Sequence, residues 1–214
     1  MPGFAGIDLT SSERKASAYA LLTSGMTPAL RTSLYTDAAI LDAVDEDQPS
    51  IVAIDAPLTL PAGLCCLNEE CGCAPVSLSR GRACERELAR MGIPCYFTTK
   101  KCIIRPMVYR AAIIRDSLLA RGHRVIEVYP YASKVRLWGR PPYRKATAKG
   151  LEYLHQRLAA LIPGLANIAV RLDHDRCDAL IAAYTAYLEH GGKTDIVGDP
   201  DEGTLSIPHS SVAV

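Results

Sequence analysis

Five carboxylates stand where metal-assisted chemistry would need them: Asp8, Asp55, Glu127, Asp175 and Asp178. Asp8 follows the apolar run Phe4-Ala5-Gly6-Ile7, and Asp55 follows Ile51-Val52-Ala53-Ile54 before Pro57 breaks the chain. Apolar, β-branched runs of this kind suit strands covered on both faces, and ligands gather at the carboxyl ends of such strands in open α/β sheets. A single Asp after a strand is as readily a turn former or helix cap. Two of them side by side repel each other unless a cation lies between, so the pair points to a metal site. The segment Asp173-His174-Asp175-Arg176-Cys177-Asp178 adds to it. Asp175 and Asp178 are three residues apart and share a face in the first helical turn. Capping the helix and favouring its dipole needs one acid, which leaves two for a cation. Glu127 is a third carboxylate near a strand terminus, placed to ligate a metal or position water.

A second cluster has different chemistry. Cys65-Cys66-Leu67-Asn68-Glu69-Glu70-Cys71-Gly72-Cys73 holds four of the chain's 8 cysteines. Thiols this close suit a soft metal, with structural zinc foremost and an iron–sulfur cluster, disulfides or free thiols as alternatives. Cys65, Cys66, Cys71 and Cys73 are expected to supply one structural site away from the carboxylates. The cations are unevenly spread as well. Residues 80–149 hold 17 Lys and Arg against 4 Asp and Glu, while the remainder holds 7 against 19. Such a block is either a phosphate-binding surface or a solvated stretch paired with acidic neighbours. On the first reading Arg82 and Lys145 are candidates for holding phosphates, with Arg136, Arg140, Arg144 and Lys149 around the same loop.

The elements that must position these residues follow from periodicity. The runs 4–8, 16–22 and 29–35 read as a strand meander, and 36–48 has helical spacing with Thr36 or Asp37 as N-cap. A strand at 51–54 follows, then helices at 82–91 and 107–120, a strand at 124–128, a loop at 138–142, a helix at 147–162 and the last helix from Asp175. Three strands, a crossover helix and a fourth strand parallel to the first bring Asp8 and Asp55 together. The expected fold is an α/β, five-stranded mixed sheet with helices on both faces, strands one and four being adjacent and central. The whole chain of 214 residues, 49% hydrophobic, is expected to form one domain, with 61–80 a Cys-rich insertion. No apolar run approaches the roughly 18–20 residues needed to span a bilayer, and Met1-Pro2-Gly3-Phe4 lacks a signal peptide's basic start, so a cytoplasmic protein without a membrane partner is expected.

Taken together, Gly6-Ile7-Asp8-Leu9, Ala53-Ile54-Asp55-Ala56-Pro57-Leu58, Gly81-Arg82-Ala83-Cys84-Glu85, Glu127-Val128-Tyr129-Pro130, Asp175-Arg176-Cys177-Asp178-Ala179-Leu180 and Asp199-Pro200-Asp201-Glu202-Gly203 resemble domain-of-unknown-function family 429. That family is regarded as predicted nucleases of the ribonuclease H-like fold, by analogy with Holliday-junction resolvases. The resemblance implies that Asp8, Asp55, Asp175 and Asp178 hold two Mg²⁺ or Mn²⁺ ions about 4 Å apart and that phosphodiester bonds of DNA or RNA are hydrolysed without a protein nucleophile. Resolvases usually carry Glu where Asp55 stands, and the Cys insertion is foreign to them. Two other classes compete. One is a non-catalytic nucleic-acid-binding or scaffold protein of the same fold. The other is an ATP-using actin- or sugar-kinase-like phosphotransferase, which wants a glycine-rich phosphate loop where Leu9-Thr10-Ser11-Ser12 stands. Monomer and homodimer are both compatible with the sequence.

Overall fold

The structure is a computed structural model that describes residues 2–167 and 172–212. Three antiparallel strands, β1 (Gly3–Asp8), β2 (Ser17–Thr23) and β3 (Pro28–Leu34), are followed by helix α1 (Asp37–Asp47) and strand β4 (Ile51–Asp55). Helices α2 (Ala83–Arg90) and α3 (Arg105–Ala120) lead to β5 (Val125–Val128), then α4 (Pro130–Trp138), α5 (Ala148–Leu161) and α6 (His174–His190). The hairpin β6 (Thr194–Asp199) and β7 (Gly203–Pro208) completes the sheet, whose order is β3-β2-β1-β4-β5-β7-β6.

The expected core is present as β3-β2-β1-β4-β5, with β1 and β4 adjacent and parallel. The count of strands is corrected from five to seven. The extra pair comes from residues 194–208, and β7 docks parallel to β5 through Val128 and Ser206. Gly198 and Gly203 take positive φ (106° and 112°), a conformation open to glycine, and they interrupt the alternation that would mark two strands. Helix α4 is a second addition. Pro130 at its first turn suits a helix start, and Gly139 with φ 75° ends it, so the stretch between the expected strand at 124–128 and loop at 138–142 is a helix.

Strand parity decides which residues meet. Ala5, Ile7, Val52 and Ile54 point to the layer of α1 and α3. Phe4, Ile51 and Ala53 point the other way, where they pack with Ala182 and Ala186 of α6. Gly6 lies on this second face, and a Cβ there would sit 2.1 Å from the Ala179 carbonyl oxygen and 2.3 Å from the Ala183 nitrogen. Helix α6 therefore lies in backbone contact with β1. The small residues Ala179, Ala182 and Ala183, all fully buried, permit that approach. Asp8 and Asp55 continue the parity of Gly6 and Ala53, so their side chains emerge beneath the N-terminal end of α6.

Candidate metal and nucleic-acid site

Asp8 and Asp55 are register partners on neighbouring parallel strands. At the N-terminus of α6 the Asp173 carboxylate accepts from the Arg176 backbone N–H (2.9 Å), which makes Asp173 the cap and frees the other two acids. Asp178 is buried and lines one cleft with Asp8 and Asp55. Asp175 stands at the rim, where Lys15 Nζ donates to it at 2.7 Å. Thus four of the five sequence candidates converge. Glu127 does not join them. Its register partner is Ile54, whereas Asp55 pairs with Val128, so the Glu127 side chain leaves the sheet on the opposite face.

On that face Glu127 belongs to a buried ionic network with Arg82. The guanidinium donates to both Glu127 oxygens at 2.7 and 2.5 Å, to Glu85 at 2.9 Å and to the Thr59 hydroxyl at 3.0 Å. Glu127 also accepts from the Leu58 backbone N–H at 2.8 Å, which ties the turn after β4 to β5. Arg82 is 1% exposed. Its expected place at a phosphate is thereby corrected, because its hydrogen-bonding capacity faces inward. Lys145 does reach the cleft, and its Nζ donates to Asp178 at 2.5 Å.

Lys134 is the residue the sequence reading missed. It lies on α4, is 4% exposed, and its Nζ donates to the second Asp178 oxygen at 2.8 Å. A lysine one helical turn after a strand-terminal Pro is the only local sign of it, and that sign acquires meaning once α4 is recognised as a helix facing α6. Asp8 and Asp55 accept no hydrogen bond from any described residue. The Asp8 carboxyl is raised to about 7 by burial and then by the charges of Asp178 and Asp175. Burial raises Asp55 well above the usual carboxylate range, and Asp8 and Asp178 add to it. The two carboxyls are thus under-compensated in the protein alone, and their hard oxygen donors suit Mg²⁺ or Mn²⁺. The cleft encloses about 490 Å³ and is walled by Tyr96, Tyr129, Tyr131, Tyr143 and Tyr153.

The four clustered cysteines lie in the segment between β4 and α2. Their sulfur atoms all fall within 4.8 Å of one another, with Cys65 and Cys71 at 3.6 Å. A tetrahedral zinc with bonds of about 2.3 Å requires sulfur spacings of about 3.8 Å, so these four could hold a metal. The backbone of Cys66 and then of Cys65 pulls the Cys73 thiol down to about 6, towards the ligating thiolate. Leu67, fully buried, and the bond from its N–H to the Tyr109 hydroxyl (2.6 Å) seat the segment on α3.

The strand order β3-β2-β1-β4-β5, with β1, β4 and the last helix presenting carboxylates at one edge, is the arrangement expected of a ribonuclease H-like fold, here extended by the β7-β6 pair. The chain belongs to the family described as "Protein of unknown function (DUF429)", which matches residues 6–203. Among solved structures, T. thermophilus RuvC in complex with Holliday junction substrate is similar at 13% identity and a TM-score of 0.49, covering 90% of this chain and 97% of that one. A second Thermus thermophilus RuvC structure is similar at 16% identity and a TM-score of 0.45, with 89% and 96% covered. No curated protein matches the chain. No helix among the described residues is long and apolar enough to cross a membrane.

Proposed function

We propose that the protein is a divalent-metal-dependent nuclease hydrolysing nucleic-acid phosphodiester bonds. The observation that carries this is the in-register pair Asp8 and Asp55 beneath Asp178, with Asp8 and Asp55 accepting no hydrogen bond among the described residues. Asp8, Asp55 and Asp178 would hold Mg²⁺ or Mn²⁺, with Asp175 at the rim, and an ion held there would supply water activation and charge neutralisation for phosphodiester hydrolysis. Lys145, half exposed, is placed to contact a phosphate when the cation takes over Asp178. Glu127 and Arg82 act as supports that hold the ends of β4 and β5. The Cys65, Cys66, Cys71 and Cys73 group would hold structural zinc. The kinase-like reading has less support, because the β1–β2 turn is closed by its own side chains: Thr10 N–H donates to Ser17 and the Thr10 hydroxyl to the Lys15 carbonyl.

One observation favours a second reading. The buried Lys134 already supplies Asp178 with a cation, as a non-catalytic nucleic-acid-binding protein of this fold could do permanently. The deciding experiment is a panel of single-stranded, duplex and branched DNA and RNA with Mn²⁺, comparing wild type with Asp8→Asn and Asp178→Asn. Cleavage lost in both variants supports the nuclease. Binding without cleavage by the wild type refutes it in favour of the second reading.

A further inference from the structure

The walls of the cleft have a chemistry that the carboxylates do not use. Tyr96 is 64% exposed and Tyr143 47%, although each lines the same space as Asp8 and Asp55. They come from separate loops, at 91–104 and 139–147. Tyr129 and Tyr131 lie between, with ring centroids 6.0 Å apart, and the Tyr129 hydroxyl donates to the Pro94 carbonyl at 3.1 Å, tying α4 to the Tyr96 loop. A second cavity of about 440 Å³ shares Tyr96, Tyr129 and Tyr131 with the cleft, so the aromatic surface runs on past the carboxylates. An exposed ring offers an apolar face on which another flat group can stack, and Tyr96 contacts no other ring among the described residues.

Charge accompanies the rings. Residues 128–151 contain six Lys and Arg and no Asp or Glu. Arg136 pairs with Asp195, and Lys134 and Lys145 pair with Asp178, whereas Arg140, Arg144 and Lys149 form no ion pair among the described residues. Arg140 reaches across to the Gly92 carbonyl at 2.8 Å, and Arg144 and Lys149 lie in the chain next to the lining residues Tyr143, Lys145 and Gly150, so rings for base faces and cations for the backbone come from the same segments, as a single strand requires. The bases of a paired duplex stay stacked on each other and cannot use the rings.

We propose that this tyrosine-lined groove binds unpaired nucleotides, so that single-stranded or locally unpaired nucleic acid is the substrate presented to the carboxylates. The proposal rests on the nuclease reading for the word substrate and is tested by binding alone. Fluorescence anisotropy in Ca²⁺, without Mg²⁺ or Mn²⁺, would compare labelled single-stranded DNA and RNA, the same strands carrying abasic residues, and duplexes of equal length. Wild type should prefer either single strand to its duplex. Removing bases, or Tyr143→Ala or Tyr96→Ala, should weaken binding about 5- to 150-fold, the range for one lost stack, while Tyr143→Phe binds as wild type. Equal or tighter duplex binding, no penalty for abasic strands, or Tyr→Ala variants that bind normally would overturn it. Tyrosine-independent cleavage of duplex in Mn²⁺ overturns this proposal and leaves the nuclease standing; tyrosine-dependent strand binding without cleavage does the reverse.

Discussion

Replacing Asp8 by Asn should stabilise the metal-free protein, and by an amount that depends on pH. The Asp8 carboxyl titrates at about 7 in the folded chain against 3.8 ordinarily, chiefly through burial and then through Asp178 and Asp175. A carboxyl whose folded value lies above its unfolded value holds its proton more tightly when folded. Its ionisation therefore costs stability, from nothing below pH 3.8 to the full amount above about 7. Each pH unit of that interval corresponds to about 1.4 kcal/mol, so the cost approaches 4 kcal/mol, of which less than about 2 is present at pH 5. Asn has nearly the same shape and cannot ionise. For a chain of this size about 1 kcal/mol moves Tm by 2–4 °C, so Asp8→Asn should melt about 8–16 °C above wild type at pH 8 and only a few degrees above it at pH 5. Differential scanning calorimetry with EDTA at both pH values measures this. Adding Mg²⁺ at about 100 times its dissociation constant should raise the wild type by about 2.7 kcal/mol and close most of the gap. A gap that is equal at pH 5 and pH 8, or an equal response of both proteins to Mg²⁺, would show that ionisation of Asp8 does not carry this cost.

Gly6→Ala should destabilise by about 3 kcal/mol in urea denaturation, because its Cβ would lie 2.1 Å from the Ala179 carbonyl oxygen and neither backbone can yield easily. Arg82→Met leaves Glu127 and Glu85 buried without their cation, and about 3–5 kcal/mol should be lost, read as a lower denaturation midpoint. Cys71→Ser should remove stoichiometric zinc by elemental analysis while Mn²⁺ binding at the carboxylates, followed by calorimetric titration, persists; loss of both would tie the two sites together. Lys145→Ala should steepen nothing but reduce the slope of nucleic-acid affinity against salt by about one counterion, and an unchanged slope would place no phosphate there.

Much of the carboxylate site was legible in the residues because it is written in local patterns. Apolar runs ending in Asp8 and Asp55 mark strand ends by composition, and the three-residue spacing of Asp175 and Asp178 marks one face of a helix without reference to anything distant. The order of strands and helix between them was enough to make β1 and β4 parallel neighbours, since crossover connections leave few alternatives.

Long-range register and packing decided the remainder. Glu127 reads like Asp55 in sequence, yet a one-residue offset between β4 and β5 turns it to the opposite face, and only pairing specifies that offset. The same is true of Arg82, a cation in a basic block until tertiary contacts enclose it with two glutamates. Lys134 and the tyrosines become site residues because α4 folds back from β5 against α6, bringing residues far apart in the chain around one cleft. The order of residues alone specifies which side chains could ionise, ligate or stack and on what period they recur. Which of them share a space was settled by the tertiary structure, because the free energy of assembling them lies in contacts between distant segments and leaves no local periodic trace.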